Sequence, residues 1–215
     1  MKKLVLLFAL MLMSSLTAVV QANDKSHFGL RAQFDLTTAT DCYDMAHFGP
    51  GASVGLAYYN PFGRMTYFNA SLLFGYNTID YSGTTPNKYN RVQIDGHISS
   101  LGLRLPLDFG LKFYDTQLVR LSVYTGPHLF FNFSLKAKYN EKRAYTEEKV
   151  DKDYTHSGME IAWGLGLAAD FAYRWHIHVE GVYGLSRMGR TNDIQVGETT
   201  HFNRAALSIG LGYNF

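Results

Sequence analysis

Cysteine is nearly absent from the 215 residues, charge is scarce, and no run of 18 apolar residues occurs after position 22. A lone Cys42 excludes an intramolecular disulfide and a zinc site built from several thiolates. The missing apolar run excludes a membrane-spanning helix beyond the N-terminal segment. Only 18% of the residues are charged, against the usual quarter. Without Lys2 and Lys3, which lie in a removable leader, 18 basic residues face 18 acidic ones. A balance of zero argues against a nucleic-acid binder and against an acidic disordered tail. Internal repeats and low-complexity tracts are also missing.

The leader itself is legible. Residues 1–22 open with two lysines, continue through an apolar stretch from Leu4 to Met13, and end in Val20-Gln21-Ala22. A charged start, a short apolar core and a small-residue site are the marks of a cleaved secretory signal peptide. The remainder, 23–215, is expected to be one domain. Cys42 lies too far from the cleavage site to carry a lipoprotein anchor.

Aromatic residues and alternation fill the rest. Ala205, Leu207, Ile209, Leu211, Tyr213 and Phe215 share one parity, while Arg204, Ala206, Ser208, Gly210, Gly212 and Asn214 share the other. A period of two means a strand with one apolar and one polar or small face. Such runs occur at 27–36, 51–60, 65–80, 91–106, 118–136, 158–174, 176–188 and 202–215. Several reach the ~9–11 residues that a tilted strand needs to cross a bilayer. In the fourth run the apolar parity shifts near Ser99-Ser100, which reads as a β-bulge. Connections alternate as well. Pro61-Phe62-Gly63 and the stretch near Trp175 are tight, whereas 136–157 is long and charged. Leu107–Gln117 is an exception, long and partly apolar where a short turn belongs.

These features predict an all-β fold: an eight-stranded antiparallel transmembrane up-and-down β-barrel behind a cleaved signal peptide. Short turns on one side and long loops on the other fit an outer-membrane barrel with periplasmic turns. A soluble lipocalin-like barrel would invert the facing. Three features oppose it: the Gly, Ala and Ser of the polar parity suit a narrow lumen, aromatics such as Phe34, Tyr76, Trp163, Tyr173, Trp175 and Tyr213 sit near strand ends as a girdle would, and the chain ends in Phe215.

The C-terminal pattern Ser208, Gly210, Tyr213 and Phe215 resembles the assembly signal of bacterial outer-membrane barrels. Leu101–Leu107, Val123–Pro127, Trp163–Gly166 and Val179–Leu185 make the chain similar to the small porin-family, outer-membrane β-barrel domain proteins of Gram-negative bacteria, including PorT-like members. That resemblance implies location in the cell outer membrane and insertion by the barrel-assembly machinery. It implies little about activity, because a fold hosts many functions.

The polar parity assigns a set of residues to the lumen: Arg31, Asp95, His97, Arg104, Arg120, His128, Glu160, Asp170, His178, Glu180 and Arg204. His176, His178 and Glu180 share one strand face and could hold a zinc-like ion, but a hydrogen-bonded network is the simpler expectation. A turn centred near Trp175 would set Asp170 opposite Glu180, with Arg31, Arg104 and Arg120 as their partners. Gly164-Leu-Gly166-Leu-Ala-Ala169 matches a dinucleotide fingerprint but lies mid-strand, so inward glycines relieving crowding explain it. His97 and Ser99 share a face, as in outer-membrane lipid deacylases, yet by parity they point into the lumen, away from lipid. The 136–157 loop mixes Lys, Glu, Asp and Tyr and is a candidate contact for lipopolysaccharide phosphates. The expectation is a monomeric, non-enzymatic barrel with a filled lumen. It needs no cofactor or metal, binds no nucleic acid, and acts in the lipid bilayer through its outward loops. A small-solute porin is the alternative, and a lipid-modifying enzyme the remoter one.

Overall fold

The structure, a computed structural model, describes residues 25–40, 46–85, 92–116, 118–143, 146–154, 158–172, 174–187 and 203–215. The expected leader, Cys42 and Tyr173 lie outside these residues. Nine strands are formed among them: β1 (His27–Thr40), β2 (Ala46–Pro61), β3 (Thr66–Thr85), β4 (Val92–Asp115), β5 (Val119–Arg143), β6 (Thr146–Tyr154), β7 (Met159–Phe171), β8 (Trp175–Arg187) and β9 (Asn203–Asn214). All pairings are antiparallel. Eight strands form a closed ring in the order β1-β2-β3-β4-β5-β7-β8-β9, with β9 returning to β1. Closure removes the unpaired edges that lipid does not tolerate. β6 hangs outside the ring, paired to β5.

Alternation follows from this wall. On β7, Ile161, Trp163, Leu165 and Leu167 are exposed, while Glu160, Ala162, Gly164, Gly166 and Ala168 are buried. On β9, Leu207, Ile209 and Leu211 are exposed and Arg204, Ser208 and Gly210 buried. The apolar parity therefore faces outward and the polar parity inward, which is the facing lipid demands.

The turns β2–β3, β4–β5 and β7–β8 are short and lie at the end where β1 starts and β9 finishes. There Ala172 takes a left-handed conformation, φ 49°, and its N–H donates to the Leu118 carbonyl (2.8 Å), tying two turns together. The Phe215 N–H donates to the Phe28 carbonyl (2.8 Å), and Trp175, Tyr213 and Phe215 make edge contacts at 5.2 and 6.0 Å. Aromatics thus rim the end with the short turns, as the girdle expectation required.

Four expectations are corrected. Of the expected loop Leu107–Gln117, Leu107–Asp115 is strand: β4 runs on to Asp115, with Pro106 buried within it, and the Thr116 N–H donates to the Val119 carbonyl (3.0 Å) where the chain turns. The β3–β4 register skips Leu105 and Pro106, so the strand passes through a residue that has no N–H to give. The 136–157 stretch is largely strand, the β5–β6 hairpin that pairs Leu135 with Tyr154 and Arg143 with Thr146. The bulge lies in β5, not β4. Leu101 pairs with Ser134 and Gly102 with Asn132, leaving Phe133 as the extra residue. β4 keeps its parity, with Ile98, Ser100 and Arg104 all buried, so Asp95 and His97 are exposed on the outer face instead of in the lumen. The physical reason is that β4 has risen beyond the lipid at this level, where water outside and packing inside put Ile98 within.

The bulge also marks where β5 changes partners. Below it, Val119–Phe131 pair with β7; above it, Leu135–Arg143 pair with β6. An extra residue bends its strand. Here the bend accompanies the departure of β5 from the ring.

Candidate functional site: the charged lumen

Three layers of polar side chains cross the barrel. Nearest the short turns, Arg120 on β5 donates to Asp115 on β4 (3.4 Å) and to the Tyr59 hydroxyl on β2 (3.1 Å). Tyr67 and Ser122 hydroxyls meet at 2.9 Å. His176 lies 2.8 Å from Asp170, its register partner, so the β7–β8 register differs from the expected one and Asp170 does not meet Glu180, which is in register with Gly166. Arg31 on β1 donates to the Leu30 carbonyl (3.0 Å).

The middle layer is built on Arg104 of β4. Its guanidinium reaches Glu180 on β8 (2.6 Å) and Asp35 on β1 (3.4 Å), and it donates to His128 Nδ1 on β5 (3.0 Å). With Nδ1 accepting, the His128 proton sits on Nε2, which faces Asp108 Oδ1 (3.1 Å). Asp35 also accepts from Gln33 (2.8 Å), Ser53 (3.4 Å) and Ser208. In the layer towards the long connections, Arg204 on β9 pairs with Glu160 on β7 (3.0 Å) and reaches Ser100 (3.5 Å), while Asn132 donates to Glu160. Phe130 lies close to both arginines, its ring centre 5.4 Å from Arg104 Cζ and 4.7 Å from Arg204 Cζ. Two cations sharing one ring link these two layers.

Of the residues assigned to the lumen from parity, Arg31, Arg104, Arg120, His128, Glu160, Asp170, His178, Glu180 and Arg204 are buried, and Asp95 and His97 are not. Asp108 and Lys112, both buried, were missed because Pro106 was read as the end of a strand. The unbroken alternation of 104, 106, 108, 110 and 112 against 105, 107, 109, 111 and 113 was the signal available. The glycines of the false dinucleotide motif make room. A Cβ on Gly164 would meet His128 Nε2 at 2.5 Å and Glu180 Oε1 at 2.6 Å, and one on Gly166 would collide with the Tyr124 ring.

What remains open inside is small. A cavity of about 30 Å³ adjoins Asp108, His178 and Glu180, and another of about 10 Å³ lies beside Arg104 and Asn132. One water needs ~10–15 Å³ by this kind of measure, so the first holds a few molecules and the second at most one.

A closed wall of eight strands, apolar outside and charged within, defines an integral barrel of the bacterial outer membrane. The chain belongs to the outer membrane protein beta-barrel domain family, whose model matches residues 6–215, and it resides in the cell outer membrane. Its fold is similar to that of Ail, the attachment invasion locus protein of Yersinia pestis (13% identity, TM-score 0.46, 89% of this chain and 100% of that one). It is also similar to Neisserial surface protein A (13%, 0.42, 89% and 100%) and OprG of Pseudomonas aeruginosa (11%, 0.43, 91% and 99%). At these identities and scores the likenesses carry no functional argument. No curated protein matches the chain in sequence.

Proposed function

We propose that this protein is a non-enzymatic outer-membrane barrel with a plugged lumen, working as a structural or surface-interaction element through its outward connections. The observation that carries the reading is the Arg104 hub, which ties β1, β5 and β8 to β4 across the interior. Eight strands leave room for little more than side chains. The β5–β6 hairpin supports the surface role, because its exposed Lys136, Lys138, Lys142, Lys149 and Asp151 form a charged face. Lipopolysaccharide phosphates are the chemistry such lysines suit. In a planar lipid bilayer the purified protein is expected to show no steady conductance. A large, stable current would overturn the plug and promote small-solute transport.

Assembly belongs to the same proposal. Ser208, Gly210, Tyr213 and Phe215 act as the signal read by the assembly machinery, within a PorT-like branch of the family. Deleting Phe215 should lower the folded, heat-modifiable protein in outer membranes far more than Asn214→Ala. Equal levels on gels of membrane fractions would remove that role.

One observation favours the enzymatic alternative. His97 and Ser99 lie on the outward parity of β4, with Asp80 in register with His97. Against it, among the described residues no hydrogen bond joins the His97 ring to either neighbour. Mass spectrometry of lipid A from cells with and without the protein decides the matter: a lost acyl chain establishes the enzyme, and identical profiles leave the surface role.

A further inference from the structure

The middle layer carries more negative charge than its own cations neutralise. Asp35, Asp108 and Glu180 are three buried carboxylates; Arg104 is the guanidinium among them, and His128, in the tautomer its contacts require, is neutral. The neighbouring cations are engaged elsewhere, Arg204 with Glu160 and Arg120 with Asp115 and Tyr59. Uncompensated charge in a dry interior is costly. Carboxyl groups outnumber guanidinium groups three to one in this layer, a surplus that a divalent cation would offset.

Geometry singles out the position. Asp108 Oδ1 is 3.1 Å from His128 Nε2, which is 3.0 Å from Glu180 Oε1, and the three donor atoms lie within 4.8 Å of one another. Ligands around a tetrahedral zinc at ~2.1 Å stand about 3.4 Å apart, so small movements suffice. Glu180 Oε1 makes no hydrogen bond although it is buried. Nε2 donates to Asp108 instead, leaving this oxygen as a ligating atom not used in hydrogen bonding, close to the other two. Both carboxylates line the cavity of about 30 Å³, which gives a water room to complete the coordination.

We propose that Asp108, His128 and Glu180 form a binding site for a divalent transition-metal ion of the zinc type, inside the barrel. One imidazole and two carboxylates suit a borderline ion better than calcium, which takes oxygen alone, or copper(I), which takes sulfur. On binding, the ring changes tautomer: the proton leaves Nε2 and one is taken up on Nδ1, so the ring stays neutral and the Nε2 lone pair goes to the metal. Arg104 then releases the ring and keeps Glu180 Oε2, its closest partner at 2.6 Å. The ligands come from the paired strands β4 and β5 and from β8, which β7 separates from β5, so the ion cross-links two parts of the wall. The site requires no glycine beyond those present, since Gly164 already admits His128 and Glu180.

The proposal goes beyond the plugged-lumen reading, and its test does not involve conductance. Untagged protein is refolded from urea into detergent with either chelator or zinc sulfate, exchanged into metal-free buffer, and analysed for zinc by mass spectrometry. The expected result is about one zinc per barrel after refolding with zinc, together with a higher unfolding midpoint. Asp108→Asn and Glu180→Gln should fall to background while remaining heat-modifiable, whereas His47→Ala, at an exposed position, should retain the metal. Zinc at background in the wild type overturns the site, as does loss of zinc on His47→Ala with retention in the lumen variants. Should both lumen variants misfold, X-ray absorption of the wild-type zinc form decides. One imidazole with an oxygen shell supports the assignment, and two or more imidazoles overturn it.

Discussion

The barrel has a low side and a tall side, and they use the same alternation in opposite senses. β7, β8 and β9 span 13, 13 and 12 residues, while β3, β4 and β5 span 20, 24 and 25. Along the low side the outward parity is apolar and the inward parity polar or small. On the tall side this holds only as far as the bulge. Beyond it the buried inward positions are mostly apolar, Ile79, Tyr81, Ile98, Leu135 and Ala137 beside Ser100, and the outward ones include Asp95, His97, Lys136 and Lys138, all exposed. Strand periodicity thus reports that a face exists. Which face is apolar depends on whether lipid or water lies outside, and a single strand can cross that boundary without changing its pleat.

The strongest way to break the comparison is to remove the centre of the polar interior. Arg104→Gln leaves Asp35 and Glu180 without their guanidinium, and the folded barrel should lose about 3–5 kcal/mol, read from urea unfolding in lipid vesicles. A loss under 1 kcal/mol would mean the charges were screened by water and the interior is wet. Next comes the lipid face of the low side. Leu167→Arg, at a position 60% exposed between Val123 and Val179, should cost about 2–4 kcal/mol near the bilayer midplane. No change there would return the soluble, inverted barrel to contention.

The finest test takes two adjacent residues of the tall side. Ile98→Val removes one buried methylene and should cost about 0.5–1.5 kcal/mol. His97→Ala, on the water side, should stay within about 0.5 kcal/mol. Reversed magnitudes would put His97 inside after all and restore the parity shift to β4.

Most of the wall was legible because lipid imposes one rule on every strand it touches. Ile209, Leu167 and Val179 could be placed outside, and Arg204, Glu160 and Glu180 inside, from parity alone. Legibility failed where that rule stopped applying. Asp95 and His97 were misplaced because Ile94 and Ile98 looked like lipid-facing residues. Asp108 and Lys112 were hidden by a proline that a strand can accommodate. The pairing of Asp170 with His176 instead of Glu180 depended on a turn centred two residues earlier than expected, and any such shift changes every cross-strand partner. The Arg104 hub was beyond reach for another reason. Its partners lie 24, 69 and 76 residues away in the chain, and nothing local records that they converge.

The seam between β1 and β9 has a kinetic consequence. Asp35 sits on β1, and Ser208, which donates to it, is its register partner on β9. Until the last strand zips against the first, the Asp35 carboxylate lacks that donor and Ser208 lacks its acceptor. An open curl of strands would present these groups to hydrocarbon, so partly zipped forms have no comfortable resting place in the membrane. Joining the first strand to the last and satisfying the interior are therefore one event, and the chain should enter the bilayer as a single cooperative step with few populated intermediates.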